Sequence, residues 1–311
     1  MIPRKCLLLP KRITRPLGKG YQDIAAFITP YLAAIRGEIE YTPSLATSLR
    51  RIATSSRIVA YLKHLPRNAS VLIQGYSAPG NSNALHIFLR EIGVDKPHLM
   101  AVDLFDVREM YSALDISLPD TDFHIADATA LPSEFCDGFI DLVVQDFLIN
   151  CLPPKYYFEL FQETARILSP TGLSMINFTD NTGVQGLQKW SPKEIFDTLG
   201  VRWDISAYQL ADIITHPTLT ETLFSLLHGA VVEHENDCHA TYVTPIDGHF
   251  EFFPTVQHIV DLLQNANLEL IETDFSIGRD NNGLQCCRHH YLVRKTMDRY
   301  CSTVTKGRNC A

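Results

Sequence analysis

Residues 69–82, ASVLIQGYSAPGNS, set Gly75 and Gly80 between an apolar run (Val71, Leu72, Ile73) and a segment in which Ala84, Leu85, Ile87, Phe88 and Leu89 recur with helical spacing. A strand that enters a small-residue loop and then a helix gathers backbone N–H groups beside a helix N-terminus, which suits an anionic or carboxylate-bearing ligand. The two glycines form no strict GxGxxG pattern, so the stretch taken alone is equally an ordinary βα turn. Asp103 closes a second apolar run, HLMAVD, about twenty positions beyond the turn, where a carboxylate at a strand tip can accept hydrogen bonds from both hydroxyls of a ribose. Histidines cluster later, at His216, His228, His234, His239 and His249, with Cys238 among them, but their spacing matches no zinc pattern. In the run Cys286-Cys287-Arg288-His289-His290 strand neighbours alternate faces, a poor chelate, so no metal is expected.

The elements that position these residues belong to a chain of 311 residues, 46% hydrophobic, enough for a substantial core. A formal charge of −8 and the lack of a long Lys/Arg block argue against a sequence-independent nucleic-acid binder and favour a small-molecule partner. The basic residues near the start bracket only a short apolar run broken by Pro10 and Pro16, unlike a secretory signal, and no apolar run reaches membrane-spanning length. Eight scattered cysteines without paired CxxC spacing fit reduced thiols and a cytoplasmic location.

Residues 1–20 are expected to form a loose arm. Helical spacing follows over residues 21–35 and again from Ser44 to Leu62, together a helical cap that either covers a sheet edge or acts as a lid, with Tyr21 and Tyr31 as contact residues. After the first βα unit come HLMAVD, FHIAD (ending at Asp127), IDLVVQ (ending at Gln145, followed by Asp146), an amphipathic helix over 156–168, and LSMINF. Strands alternating with helices predict a doubly wound, mostly parallel α/β sheet with helices on both faces, whose ligands collect at the carboxyl ends of the strands.

The order of these pieces resembles the class I S-adenosylmethionine-dependent methyltransferases over roughly residues 70–295, with one long interruption. VLIQGYSAPG resembles the family's glycine turn, VDLFD its second-strand acid, IADATALP its adenine-binding acid and IDLVVQDFLINCLPP its fourth strand. FQETARILSPTGLSMIN, similar to the family's helix, R-x-L-x-P-x-G turn and fifth strand, is the most specific. The resemblance implies a seven-stranded Rossmann-like sheet closed by a hairpin whose seventh strand is antiparallel. The helical spacing upstream marks a cap over 1–66, ahead of a domain over 67–311 in which the long interruption, about 181–248, is read as a lid insertion. The resemblance implies S-adenosyl-L-methionine as cofactor and methyl transfer as reaction, and the aromatic insertion with a surface that is not basic points to a small-molecule metabolite as substrate. Gly75, Tyr76, Ser77 and Gly80 would wrap the methionine part, Asp103 the ribose, and Asp127 with Ala128 the adenine amino group. Leu104 and Phe105 would pack on the adenine face, and Gln145 would contact the cofactor's amino-acid moiety.

The chain departs from that family at Ile73, where an acid is usual, and at Ser77, where a second glycine is common. This keeps open a binding protein of the same fold that transfers no methyl group. A nicotinamide-dependent oxidoreductase would share the second-strand acid but fits neither the ADA segment nor the RILSPTG turn. The insertion, with Trp190, Trp203 and Tyr208, is read as a substrate lid, with an extra layer or a dimer contact as the alternative. In-line methyl transfer needs an aligned nucleophile, and a base only where that nucleophile must lose a proton. Asp146, His249 and Tyr21 are the candidates for this chemistry, against plainer readings as a loop acid, a helix-entry histidine and a core tyrosine.

Overall fold

A computed structural model describes residues 44–76, 80–104, 120–199, 226–227, 229–232, 238–243, 250–279 and 284–296. Tyr21, Tyr31, Ser77, Phe105 and His249, the N-terminal arm and much of the insertion lie outside them.

Two helices open the described chain, α1 (Ser44–Thr54) and α2 (Ser56–Leu62), where the periodicity predicts one. Ser55 interrupts the pattern with an extended backbone, φ −83° and ψ 97°. Then follow β1 (Ser70–Gln74), α3 (Asn81–Glu91), β2 (His98–Asp103), β3 (Thr121–Ile125), β4 (Ile140–Asp146), the single turn α4 (Leu148–Cys151), α5 (Tyr157–Ile167) and β5 (Leu168–Thr179). Downstream of the insertion come α7 (Val256–Asn265), capped by Thr255, whose hydroxyl accepts the His258 N–H, and the hairpin β10 (Leu268–Arg279) and β11 (Gln285–Lys295).

These strands form one seven-stranded sheet in the order β10-β11-β5-β4-β1-β2-β3. All pairs among the first five strands are parallel, and β11 runs antiparallel between β5 and β10, as the resemblance implied. Strand alternation splits the core in two. One face presents Val71, Ile73, Ala101, Val144 and Met175 to Leu45, Leu49, Ile52, Leu85 and Leu89 of α1 and α3. The other presents Leu72, Val143, Ile176 and Phe178 to Tyr157, Leu160, Phe161, Ile259 and Leu263 of α5 and α7. Each buried Val, Leu, Ile, Met or Phe side chain among these is worth about 1.5–3 kcal/mol, so both helical layers are held by their apolar stripes.

The R-x-L-x-P-x-G segment is a structural clamp. Arg166 pairs with Glu163 and Asp137 and donates to the Phe135 carbonyl, while Glu163 accepts the Leu131 N–H. A Cβ on Gly172 would meet the Ile140 carbonyl oxygen at 2.8 Å, so glycine alone lets β5 approach β4 after the irregularity in their register.

The insertion contributes β6 (Lys189–Trp190), α6 (Pro192–Leu199), β7 (Val231–Val232) and β8 (His239–Val243), and β9 (Phe250–Pro254) follows just after it. These strands form a second sheet, β6-β7-β8-β9, with its own apolar contacts among Val184, Val231, Tyr242 and Phe253. Asn150 joins this sheet to the main one, because its amide donates to both the Thr179 and the Phe252 carbonyls. No helix among the described residues is long and apolar enough to cross a membrane.

Candidate functional site

Strand order reverses between β1 and β4, and in an open parallel sheet the crevice at that reversal, outside the carboxyl ends, is where ligands sit. The glycine turn lies on one side of it. Gly75 has φ +76°, a left-handed backbone that calls for glycine, and a Cβ there would also push the tip of Leu148, 2.9 Å away at Cδ1. Gly80, φ +83°, caps the N-terminus of α3 and turns its first N–H groups toward the loop. On successive strand tips stand Asp103, at the end of β2 and 7% exposed, and Asp127, just beyond β3. Leu104 follows Asp103 and is half-buried. Asp127 Oδ1 accepts from both the N–H and the hydroxyl of Thr129 (2.9 and 2.7 Å), which fixes the carboxyl in a turn. The Ala128 carbonyl accepts from Gln74 Nε2 at 3.5 Å.

Two expected cofactor contacts do not fit where the structure places them. The Tyr76 side chain turns into the core, 1% exposed, where its hydroxyl bonds Ser82 at 2.8 Å and its ring meets Phe123 edge-on. Only its backbone stays at the turn. Gln145 is fully buried between sheet and α5, with Nε2 donating to Gln74 Oε1 (2.6 Å) and Thr164 Oγ1 (2.9 Å). Alternation carries its side chain to the helical layer and not to the crevice.

Across the crevice, β4 ends in Asp146, whose side chain lies on the face covered by α1. Asp146 Oδ1 accepts from Ser48 Oγ and Asn177 Nδ2, both at 2.9 Å. Oδ2 makes no hydrogen bond among the described residues, although the Ser44 hydroxyl is close enough to favour the anion. Burial dominates and raises the carboxyl's pKa above its ordinary value, against the opposing hydrogen bonds from Ser44, Asn177 and Ser48 and the field of Arg288. The chain of contacts continues, since Asn177 Oδ1 accepts from His290 Nδ1 at 2.9 Å. That bond places the His290 proton on Nδ1, and Nε2 is buried without a partner among the described residues. Burial lowers the His290 pKa to about 4, so the ring is neutral near pH 7.

Phe147 follows at φ +56°, an unusual conformation for an aromatic residue, and Arg288 lies 5.7 Å from its ring centroid. Sequence reasoning finds Asp146 but not Ser48, Asn177, His290 or Phe147. The signal available for Asn177 and His290 is a polar residue at an inward position of an otherwise apolar strand, as in LSMINF and HHYLV.

The chain matches no protein-family model and no curated protein. Among solved structures it is similar to an S-adenosylmethionine-dependent methyltransferase from Methanosarcina mazei, at 14% identity over 78% of this chain and 98% of that one, TM-score 0.49. It is also similar to the 1,6-didemethyltoxoflavin-N1-methyltransferase of Burkholderia thailandensis, solved with 1,6-didemethyltoxoflavin and S-adenosylhomocysteine, at 13% identity over 93% and 98% of the two chains, TM-score 0.44. An S-adenosylmethionine-dependent methyltransferase from Mesorhizobium loti matches at 13% identity over 78% and 100%, TM-score 0.45. Likeness at this level says nothing of substrate or residue roles. By its own strand order and its antiparallel seventh strand, the chain has the Rossmann-like fold of class I S-adenosylmethionine-dependent methyltransferases.

Proposed function

We propose that the protein is an S-adenosylmethionine-dependent methyltransferase acting on a small-molecule metabolite. The observation that carries this reading is the sequence of groups along one sheet edge. The Gly75–Gly80 turn, Asp103 and Asp127 stand at the tips of β1, β2 and β3 in the order in which an extended cofactor would present its methionine, ribose and adenine. The turn offers N–H groups to a carboxylate, and the two acids accept from hydroxyl and amino hydrogens.

Methyl transfer from a sulfonium carbon leaves the substrate atom one proton richer than neutral when the nucleophile is an alcohol or amine, so a group at the crevice must take that proton. Asp146 is the candidate. Its carboxyl has a raised proton affinity, one oxygen is held by Ser48 and Asn177, and the other has no partner among the described residues. Asn177 and His290 orient it. A formal charge of −8 disfavours polyanionic substrates and supports a small molecule.

A second reading, a protein that binds the cofactor without transferring its methyl group, is favoured by one observation. Ile73, 1% exposed, packs with Ala101 and Val144 where the family carries an acid. Calorimetric titration with S-adenosylmethionine and, separately, NAD tests the site. Binding of the first and not the second is expected, and the reverse refutes the proposal. Incubation with methyl-labelled cofactor and metabolite extracts separates the two readings, because only a methyltransferase yields a labelled small molecule.

A further inference from the structure

We propose that Asp180, Cys287 and His289 form a three-ligand site for a divalent metal of the zinc class, which ties the start of the insertion to the closing hairpin. The site arises from register. Phe178 on β5 lies opposite His289 on β11, and two residues further along the Asp180 N–H donates to the Cys287 carbonyl at 3.1 Å. Alternation separates Cys287 from Cys286 and Arg288, yet the same alternation puts Cys287 and His289, two apart, on one face. Asp180 joins them from the neighbouring strand.

One ligand atom from each of the three residues lies within 4.8 Å of the others. A tetrahedral zinc with bonds of about 2.0–2.3 Å needs its ligands roughly 3.3–3.8 Å apart. The Asp180 Oδ2 to His289 Nε2 contact, 2.9 Å as a hydrogen bond, needs to open by only a few tenths of an ångström. The ligands are also held in orientation. Asp180 Oδ1 accepts the Thr182 N–H at 3.0 Å, which leaves Oδ2 for His289. The His289 ring stacks on Phe178 (5.1 Å, 21°) and meets Tyr291 edge-on.

A carboxylate, an imidazole and a thiolate are the donors of zinc or cobalt(II), not of the all-oxygen sites that magnesium and calcium select. Binding forms three metal–ligand bonds and releases the thiol proton to solvent, with no change of oxidation state. The pinning role follows from position. Asp180 leads directly into the helical turn Asn181–Val184, where an added Cβ on Gly183 would collide with the Gln285 carbonyl at the start of β11. The site lies on the opposite face of the sheet from Asp146.

The test uses the full chain, stripped with chelator and titrated with cobalt(II). One equivalent should produce a thiolate-to-cobalt charge-transfer band and visible d–d bands, both removed by one equivalent of zinc, and zinc should raise the thermal midpoint. Cys287→Ala should abolish the charge-transfer band, while Cys136→Ala, at an exposed thiol elsewhere, should retain it. Should Cys287→Ala fail to fold, Asp180→Asn, nearly isosteric, should weaken cobalt binding at least tenfold. Absence of the charge-transfer band in the wild type, its persistence in folded Cys287→Ala, or unchanged cobalt affinity in Asp180→Asn overturns the proposal and leaves a hydrogen-bonded His–Asp pair beside a thiol.

Discussion

Replacing Asp146 with Asn should make the protein more stable at pH 8 and less active. The amide keeps the carboxyl's shape, so Oδ1 can still accept from Ser48 and Asn177. What disappears is the cost of burying a charge, while the amide nitrogen that takes the second oxygen's place can donate to the nearby Ser44 hydroxyl. A buried group short of partners costs about 1–3 kcal/mol, more when it is charged, which sets the expected gain. Near 2–4 °C of thermal midpoint per kcal/mol for domains of 150–250 residues, a 311-residue chain falls toward the lower end. The sign depends on pH. Burial raises the folded-state pKa above the ordinary 3.8, so the folded protein holds this proton more tightly than the unfolded chain does. The wild-type carboxyl's contribution is therefore fully present below the unfolded value and is lost as pH rises through the folded one, by at most about 1.4 kcal/mol per pH unit. The advantage of Asp146→Asn should accordingly be smallest near pH 4, grow with pH, and then level off. Urea unfolding of both proteins from pH 4 to pH 8 reads this directly. Loss of a general base should meanwhile lower turnover by about 10²–10⁴-fold. A variant less stable than wild type at pH 8, or a difference independent of pH, refutes the reasoning.

Asp103→Ala should weaken S-adenosylmethionine binding without unfolding the protein, since each charge-assisted hydrogen bond lost is worth about 1.5–3 kcal/mol; an unchanged dissociation constant in calorimetry counts against the ribose assignment. Ile73→Asp puts a carboxyl among Ala101 and Val144, so it should cost about 3 kcal/mol or more at pH 7 in urea unfolding, less at pH 4 where the introduced group is protonated, and it should not tighten cofactor binding. Tighter binding would favour the non-methylating reading. Gly75→Ala should destabilise by about 1–2 kcal/mol from its left-handed backbone alone, and pairing it with Leu148→Ala should not recover that part, as differential unfolding of the single and double variants would reveal.

The order of strands and helices was legible in the sequence because it is written in local periodicity. VLIQ, HLMAVD, IDLVVQD and LSMINF are apolar on both faces, as strands covered by two helical layers must be. The glycine turn, the acids at the strand tips and the RILSPTG clamp were legible too, since each depends on a few adjacent residues. The second sheet was not, because β6 and β7 are two residues each and too short to carry a pattern. Nor could the sequence say which face of β4 each of Gln145 and Asp146 takes. One step along a strand reverses the face, and only packing of α1 on one side and α5 on the other assigned Asp146 to Ser48 and Gln145 to Thr164. The meetings of Asp146 with Asn177, of Asn177 with His290, and of Asp180 with Cys287 and His289 belong wholly to tertiary structure. The first depends on the β4–β5 register and the other two on the register of β11 against β5, long-range pairings that no local propensity encodes.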